Sequence, residues 1–327
     1  MRRARVSRRL LLRSLAAALA LAACATGVLA APAAPSALSA PNAPGVPGAP
    51  GAGYRFQIVT GDDSSLTSRI TEDLLKRLVP IFAGYRTELA QRRRMVYVAI
   101  GPNALREVAR RRCDCVVISA FTSSQVWHAI VDKLPPARAR AMTAVYAEPA
   151  PADQLRLATL LYRRPVRAAV LLGPETAFLL PQLPQLLQQL PPALPGQAEV
   201  LQVAREDDMS DVLARTGRAE VLLALPDSTV YNPENIRNIL LSTYRRKQAV
   251  IGFSADMVKV GALASTYSEV EDINAQVAEL AAGFAASGRL PPPQFPRYFR
   301  TAVNEGVARS LDIEVSEEAR RFARVRP

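Results

Sequence analysis

Histidine is almost missing from this chain. Of 327 residues, one is histidine, His128, one is tryptophan and three are cysteine. Metal sites usually take three or four ligands, so the usual His/Cys zinc cluster has too few residues to form. The chain also lacks a Gly-rich dinucleotide fingerprint, a phosphate-cradling loop ending in Gly-Lys-Ser/Thr, a nucleophile elbow and a paired-His zinc helix. No cofactor and no metal are expected, and no catalytic residue is assigned; His128 has no base partner in the sequence. The carboxylate pairs Asp62-Asp63 and Asp207-Asp208 are sequence neighbours that point apart, which suits loops and helix N-caps better than acid–base work. No block of five or more like charges occurs, and no basic run is interleaved with aromatics, so nucleic acid is not an expected partner.

What is present is concentrated at the N-terminus. Arg2, Arg3, Arg5, Arg8, Arg9 and Arg13 account for half of a net charge of +12. Leu10 to Ala23 is then almost wholly apolar, and too short for the roughly 20 residues that span a bilayer. A basic head, a short apolar core and small residues beyond it read as a secretion signal. Two cleavage readings stand side by side. Leu21-Ala22-Ala23-Cys24 matches a lipobox, in which the Cys24 thiol is lipidated; Val28-Leu29-Ala30 suits ordinary signal peptidase. The lipobox is preferred, because residues 24–53 are largely Ala, Pro, Gly and Ser, a composition that cannot offset its ordering entropy and serves as a tether. Ser7-Arg8-Arg9-Leu10-Leu11-Leu12 adds a weak twin-arginine resemblance. Arg92-Arg93-Arg94 and Arg110-Arg111-Arg112 read as water-facing charges at helix C-termini.

From Tyr54 the pattern alternates strand and helix. Strands are predicted at 54–60, 95–100, 113–119 and 143–146, with helices at 66–82, after Asn103, after Ser124 and at 152–162. The pattern restarts after Pro165, with strands at 166–172, 199–204, 220–225 and 249–253 and helices at 176–190, 210–216 and 235–246. The strands are continuous apolar runs, as expected where both faces of a parallel sheet are covered. A strand at 263–267, a helix at 270–286, a strand at 298–303 and a helix at 305–311 complete the chain. The fold class is α/β in two successive arrays. Cys113 and Cys115 fall on one face of the third strand and read as two buried core cysteines, with a local disulfide as the alternative.

In open α/β sheets, ligands bind beyond the carboxyl ends of the strands. Small polar and aromatic residues cluster there, and Asp62, Ser64, Phe121, Thr122, Ser123, Glu148, Asp227, Ser228 and Ser254 are the candidate ligand residues. Trp127, Tyr146, Tyr231 and Phe253 are candidate cleft walls that serve equally well as core. For each polar residue taken singly, helix capping competes with ligand contact.

Leu223-Ala224-Leu225-Pro226-Asp227-Ser228-Thr229-Val230-Tyr231-Asn232, followed by Asn235-Ile236 and Ile239-Leu240-Leu241, resembles the ABC-transporter substrate-binding family that includes tryptophan-binding proteins. So do Val250-Ile251-Gly252-Phe253-Ser254, Val258 to Ala264, Tyr267-Ser268 and Phe295-Pro296-Arg297-Tyr298-Phe299. The resemblance implies a type I periplasmic-binding-protein fold, with two Rossmann-like lobes, parallel sheets and three hinge strands. It divides the chain at 54–164 plus 264–290 for one lobe and 165–263 plus 291–327 for the other. It implies Asp227, Ser228 and Ser254 at cleft positions of the second lobe and Thr122 and Ser123 in the first. Many members have Gly-Thr where this chain reads Ala120-Phe121-Thr122-Ser123. The implied partners are a small-molecule ligand of the class of an amino acid or a related organic solute, and ABC permease subunits. The implied state is a monomer tethered in the periplasm by a lipid on Cys24. The alternative is a non-transport envelope lipoprotein using the same fold as an interaction module.

The N-terminal reading has a direct measurement. Mass spectrometry of the mature protein from its envelope is expected to find a diacyl- or triacyl-modified Cys24 as residue one. A free Ala31 terminus excludes the anchor.

Overall fold

The computed structural model describes residues 54–83, 94–183 and 197–326. The expected signal segment, Cys24 and the linker lie outside the described residues. Four strands, Tyr54–Thr60 (β1), Arg94–Ile100 (β2), Cys115–Thr122 (β3) and Met142–Tyr146 (β4), form a fully parallel sheet in sequential order. Ser65–Ala83 (α1) covers one face, and Gly101–Ala109 (α2) and Ser124–Val131 (α3) cover the other; Pro136–Ala139 (α4) is a single turn before β4. The steps β1→β2 and β2→β3 run the same way across the sheet while α1 and α2 lie on opposite faces. The two crossovers therefore have opposite hands, and one of them is the uncommon left-handed kind.

The second sheet contains Arg167–Leu172 (β5), Gln197–Gln202 (β6), Val221–Leu223 (β7), Ala249–Ile251 (β8), Ala264–Tyr267 (β9) and Arg300–Val303 (β10). Its order is β10-β9-β8-β7-β5-β6, with only β10 antiparallel. The chain leaves β5 on one side for β6 and returns on the other for β7, so the strand order reverses beside β5. One face carries Met209–Arg215 (α6), Pro233–Arg245 (α7) and Ala255–Lys259 (α8). The other carries Pro151–Tyr162 (α5), Glu305–Ser310 (α10) and Glu317–Arg320 (α11). Val270–Ser287 (α9) returns to the first sheet, burying Ile273, Val277, Leu280 and Phe284 against α1 and the β2–β3 face. Both sheets are thus sandwiched between helices, which is why their strands are apolar on both faces.

The packing divides the chain differently from the sequence reading. The boundary expected at 164/165 leaves α5 with the first sheet, but Leu155, Leu157, Ala158 and Leu161 are buried in the second core. β9, expected in the first lobe, pairs with β8 and β10. Gln294, expected in the second, pairs with Val145 at the edge of the first sheet. The crossings therefore lie at 147–150, at 268–269 and at 295–299. Helical amphipathicity names a buried face without naming the sheet it meets, so these allegiances were not legible locally. The helix expected at 176–190 is, over its described part, a 3₁₀ turn at Ala177–Leu179.

Polar side chains tie the crossings. Gln154 of α5 donates to the Gly252 carbonyl at 2.7 Å and to Ser265 Oγ at 3.1 Å, and accepts from Thr266 N at 2.9 Å. Gln276 of α9 accepts from Arg297 N at 2.7 Å and donates to the Phe295 carbonyl at 3.2 Å. Asp272, 3% exposed, takes part in the capping box of α9 and accepts from Arg300 of β10 and from Arg326 at 3.0 Å.

Breaking a fully buried ion pair costs about 3–5 kcal/mol. Here the two guanidiniums keep 39% and 33% of their side-chain exposure, and solvent screens them. Asp272→Asn is therefore expected to lower unfolding stability by about 2 kcal/mol, read as a reduced urea midpoint with an unchanged slope. A variant as stable as the parent removes the tie.

Candidate functional site

The carboxyl ends of β1–β4 and of β5–β8 are where the loops carry polar residues. At the first sheet, Asp62 is exposed and organises the start of α1: Oδ1 accepts from Ser64 N at 3.0 Å and from Thr67 Oγ1 at 2.7 Å, and Ser64 Oγ accepts from Thr67 N at 3.2 Å. These bonds hold the Asp62 carboxyl below its ordinary range. Phe121 has φ 57° and sits where the β3–β4 register shifts. Thr122 is buried, accepting from Ser119 Oγ at 3.3 Å, and Ser123 occupies the N-cap position of α3 without a side-chain cap bond.

Glu148 lies beneath that helix. Its Oε1 accepts from Ser124 N at 2.9 Å, its Oε2 has no partner among the described residues, and the residue is 5% exposed. Burial pushes its pKa up, against the opposing pull of the Ser124 N–H. Tyr146, edge-on to Phe295 at 5.1 Å, is pushed up by burial and then by the Glu148 charge.

At the second sheet, Asp227 reaches across the point where strand order reverses. Oδ2 accepts from Glu175 N at 3.1 Å, Thr176 N at 3.0 Å and Thr176 Oγ1 at 2.9 Å; Oδ1 accepts from Thr229 N at 2.9 Å. The carboxylate approaches Gly173 so closely that a Cβ there would fall 2.4 Å from Oδ1. Ser228 donates its Oγ to Glu175 Oε1 at 2.7 Å and its N–H to Oε2 at 2.9 Å. Ser254 caps α8 through Met257 N at 3.2 Å. The structure thus gives Asp62, Ser64, Asp227 and Ser254 capping or turn-closing bonds and gives Glu148 the first N–H of α3. Trp127 is buried in the first core, and Tyr231 pairs edge-on with Phe253 at 5.8 Å.

The two arrays meet at a place sequence reasoning missed. His128 of α3 stacks on Phe178, from the turn after β5, with centroids 4.0 Å apart and planes inclined by 32°. Beside this pair is a cavity of about 590 Å³, within the usual range for small-molecule sites. Arg106 and Lys133 border it from one side, and Glu175 and Arg205 from the other. His128 Nδ1 lies 3.1 Å from Asp132 Oδ2, a carboxylate partner one helical turn on that the sequence reading did not assign to it. The available signal was positional: Glu175 and Phe178 follow a strand end at Gly173-Pro174. Nothing in the sequence pairs Phe178 with a residue fifty positions earlier. Among the described residues no group of three His, Cys, Asp or Glu is placed to hold a metal ion.

Comparison with solved structures bears on the architecture. A substrate-binding protein with adhesive properties from Clostridium difficile, CD0873 in its ligand-free open form, superposes with TM-score 0.55 at 12% identity, over 81% of this chain and 97% of that one. The chain has the fold of a substrate-binding protein. The expected α/β architecture, two parallel-sheet lobes of type I periplasmic-binding-protein form, is the one observed. An ABC domain from Streptococcus pneumoniae in complex with L-Trp is also similar, with TM-score 0.49 at 16% identity, over 81% and 97% of the two chains. No family model matches the chain, and no curated protein matches it. No described helix is long and apolar enough to cross a membrane.

Glu148 provides a test of the site's electrostatics. An acid whose folded pKa is raised stabilises the fold below its unfolded value near 4.5 and loses that contribution as pH rises through the folded value. Glu148→Gln is therefore expected to match the parent near pH 4 and to become progressively more stable than it toward pH 7. A gap that is constant or narrows with pH contradicts the assignment, with thermal unfolding across pH as the measurement.

Proposed function

We propose that this chain is a substrate-binding protein that captures a small organic solute between its two α/β arrays, at the cavity beside His128 and Phe178. The observation that carries the reading is that cavity, bordered by the α3 flank of the first array and by the loops after β5 and β6 of the second. It offers an aromatic wall together with both signs of charge: Arg106, Lys133 and Arg205 against Glu175 and Asp132. This chemistry fits a zwitterion with an apolar or aromatic body, an amino acid or a close relative. Phe121, Thr122, Ser123, Ser228 and Ser254, the other candidates offered by the sequence, do not border this cavity. Delivery to ABC permease subunits, monomeric action and a lipid anchor at Cys24 in the periplasm belong to the same proposal. No catalytic residue is assigned.

One observation favours a second reading. Asp227 and Glu148, the two carboxylates that the sequence offers for a ligand ammonium, do not border the cavity and are already committed to N–H groups of their own chain. A non-transport envelope module that uses the fold to bind protein needs no open carboxylate. Crosslinking that returns only permease subunits rules this reading out.

A ligand at a hundredfold excess over Kd stabilises the native state by about 2.7 kcal/mol, which is a thermal shift of roughly 5–10 °C for a body of this size. An amino-acid panel is expected to contain at least one such ligand, and Phe178→Ala is expected to weaken its binding about tenfold or more. If the panel produces no shift and nothing co-purifies in the cavity, the solute-binding reading fails.

A further inference from the structure

At the opposite end of the first sheet, by the amino ends of β2 and β3, the two cysteines of the body are not the two buried core residues preferred from sequence but the local disulfide given as the alternative. The strand begins at Cys115, which is 1% exposed; Cys113 precedes it, is exposed, and is joined to Cys115 by a disulfide. A disulfide that closes over one residue removes little unfolded-state entropy, because the stabilisation grows with loop length. As a structural staple it contributes less than a disulfide that closes a longer loop.

The surroundings of the bond are one-sided. Arg138, from α4, places Nη1 2.9 Å from the Cys115 carbonyl and 3.2 Å from Cys115 Sγ, and Nη2 2.9 Å from the Val108 carbonyl; its Nε has no partner. Among the described residues this half-buried guanidinium makes no ion pair with a carboxylate, and burial pushes its pKa down. Nearby Asp114 is taken by Arg94 at 2.8 Å, and Glu107 is taken by Arg111, whose guanidinium also lies 4.7 Å from the Tyr97 ring centre. Arg110 and Arg112 add further positive charge. A half-buried cation against a sulfur, with no carboxylate of its own among the described residues, is complementary to a thiolate, and an electropositive setting is what lowers the cost of a cysteine anion.

We propose that Cys113–Cys115 is a redox-active disulfide that exchanges with a dithiol, most naturally that of another exported protein. A partner thiolate attacks the exposed Cys113 Sγ. The sulfur–sulfur bond breaks, and its electron pair leaves on Cys115, whose thiolate forms beside Arg138. The partner's second thiolate then attacks its own sulfur in the mixed disulfide and releases Cys113. The chain gains two electrons and takes up protons from solvent as a dithiol, and the partner dithiol becomes a disulfide. The reverse sequence oxidises the chain. Direction of attack follows from exposure and leaving-group stability.

The test uses the mature protein, purified without reductant, with alkylation mapped to the Cys113 and Cys115 peptides so that Cys24 does not enter. Low-millimolar dithiothreitol is expected to release both thiols while circular dichroism stays native. Glutathione disulfide is expected to trap Cys115→Ser as a mixed disulfide at Cys113, and to react with Cys113→Ser about tenfold or more slowly. Arg138→Gln is expected to slow reduction and diminish the ultraviolet thiolate absorbance of the reduced protein, and Arg138→Lys to restore both. Bond cleavage only after unfolding, or free thiols in protein secreted into an oxidising medium, overturns the proposal. Equal reactivity of the two cysteines overturns it as well. If Arg138→Gln is unstable, Arg138→Lys with parental thiolate absorbance supports the proposal, and Arg138→Lys without it counts against.

Discussion

Asp272 holds the two halves in register. Its carboxylate is almost fully withdrawn from water at the amino end of a helix that packs on the first sheet. Its partners are Arg300, in the antiparallel edge strand of the second sheet, and Arg326, near the C-terminus. A desolvated carboxylate costs several kcal/mol unless it is paired and hydrogen-bonded. The arrangement is therefore favourable only when α9, β10 and the C-terminal segment come together. The last residues reinforce it through the backbone pair Phe299–Arg324 at 2.8 and 3.0 Å, and through Arg324 against Asp153 of α5 at 3.6 Å. The path across the crossings depends on these few polar contacts more than on area, because each sheet already has its own core.

That dependence shapes the site. Parallel strands place their carboxyl ends, and the loops that follow, toward the crossings. The loops are short and open into helices, so their polar side chains have two competing uses, capping and ligand contact. In the second sheet capping prevails at Asp227, because five N–H or O–H donors converge on one carboxylate and no water is needed to satisfy it. Glu148 is satisfied on one oxygen only. What remains open lies on α3 at His128 and, across from it, at Glu175, Phe178 and Arg205 after β5 and β6. The room for a ligand is therefore displaced from the strand ends toward the helix α3 flank.

The fold was legible for a physical reason. Strands buried on both faces read as unbroken apolar runs, and β1 and the start of α5 fall within a residue of their expected limits. Loop chemistry was also legible as a class: Ser64, Asn232 and Ser254 cap helices as their residue types favour. Facts about pairs distant in sequence were not legible. The allegiance of α5 to the second sheet depends on which core Leu155 and Leu161 enter, and periodicity carries no such information. The His128–Phe178 stack, the Asp227 bridge to Glu175 and Thr176, and Arg138 beside Cys115 each join residues more than twenty positions apart. Residue types were available for all of them; their juxtaposition arises from the crossovers.

Phe121 shows how local rule and tertiary packing trade against each other. A bulky residue at φ 57° holds about 1–3 kcal/mol of backbone strain, and glycine would relieve it. Here the phenyl ring instead packs against the first core, beside the β3–β4 register shift. Burying a Phe side chain is worth about 1.5–3 kcal/mol when complete, and Phe121 is only partly buried, so the two contributions nearly cancel. The left-handed conformation is therefore kept by the shape of the loop, which must turn Thr122 inward and present Ser123 to α3, and the ring offsets its cost. A glycine there would leave the loop's geometry intact and remove the ring from the wall beside it. The ring thus shapes the surface of the first array beside β3 and β4 without setting its backbone.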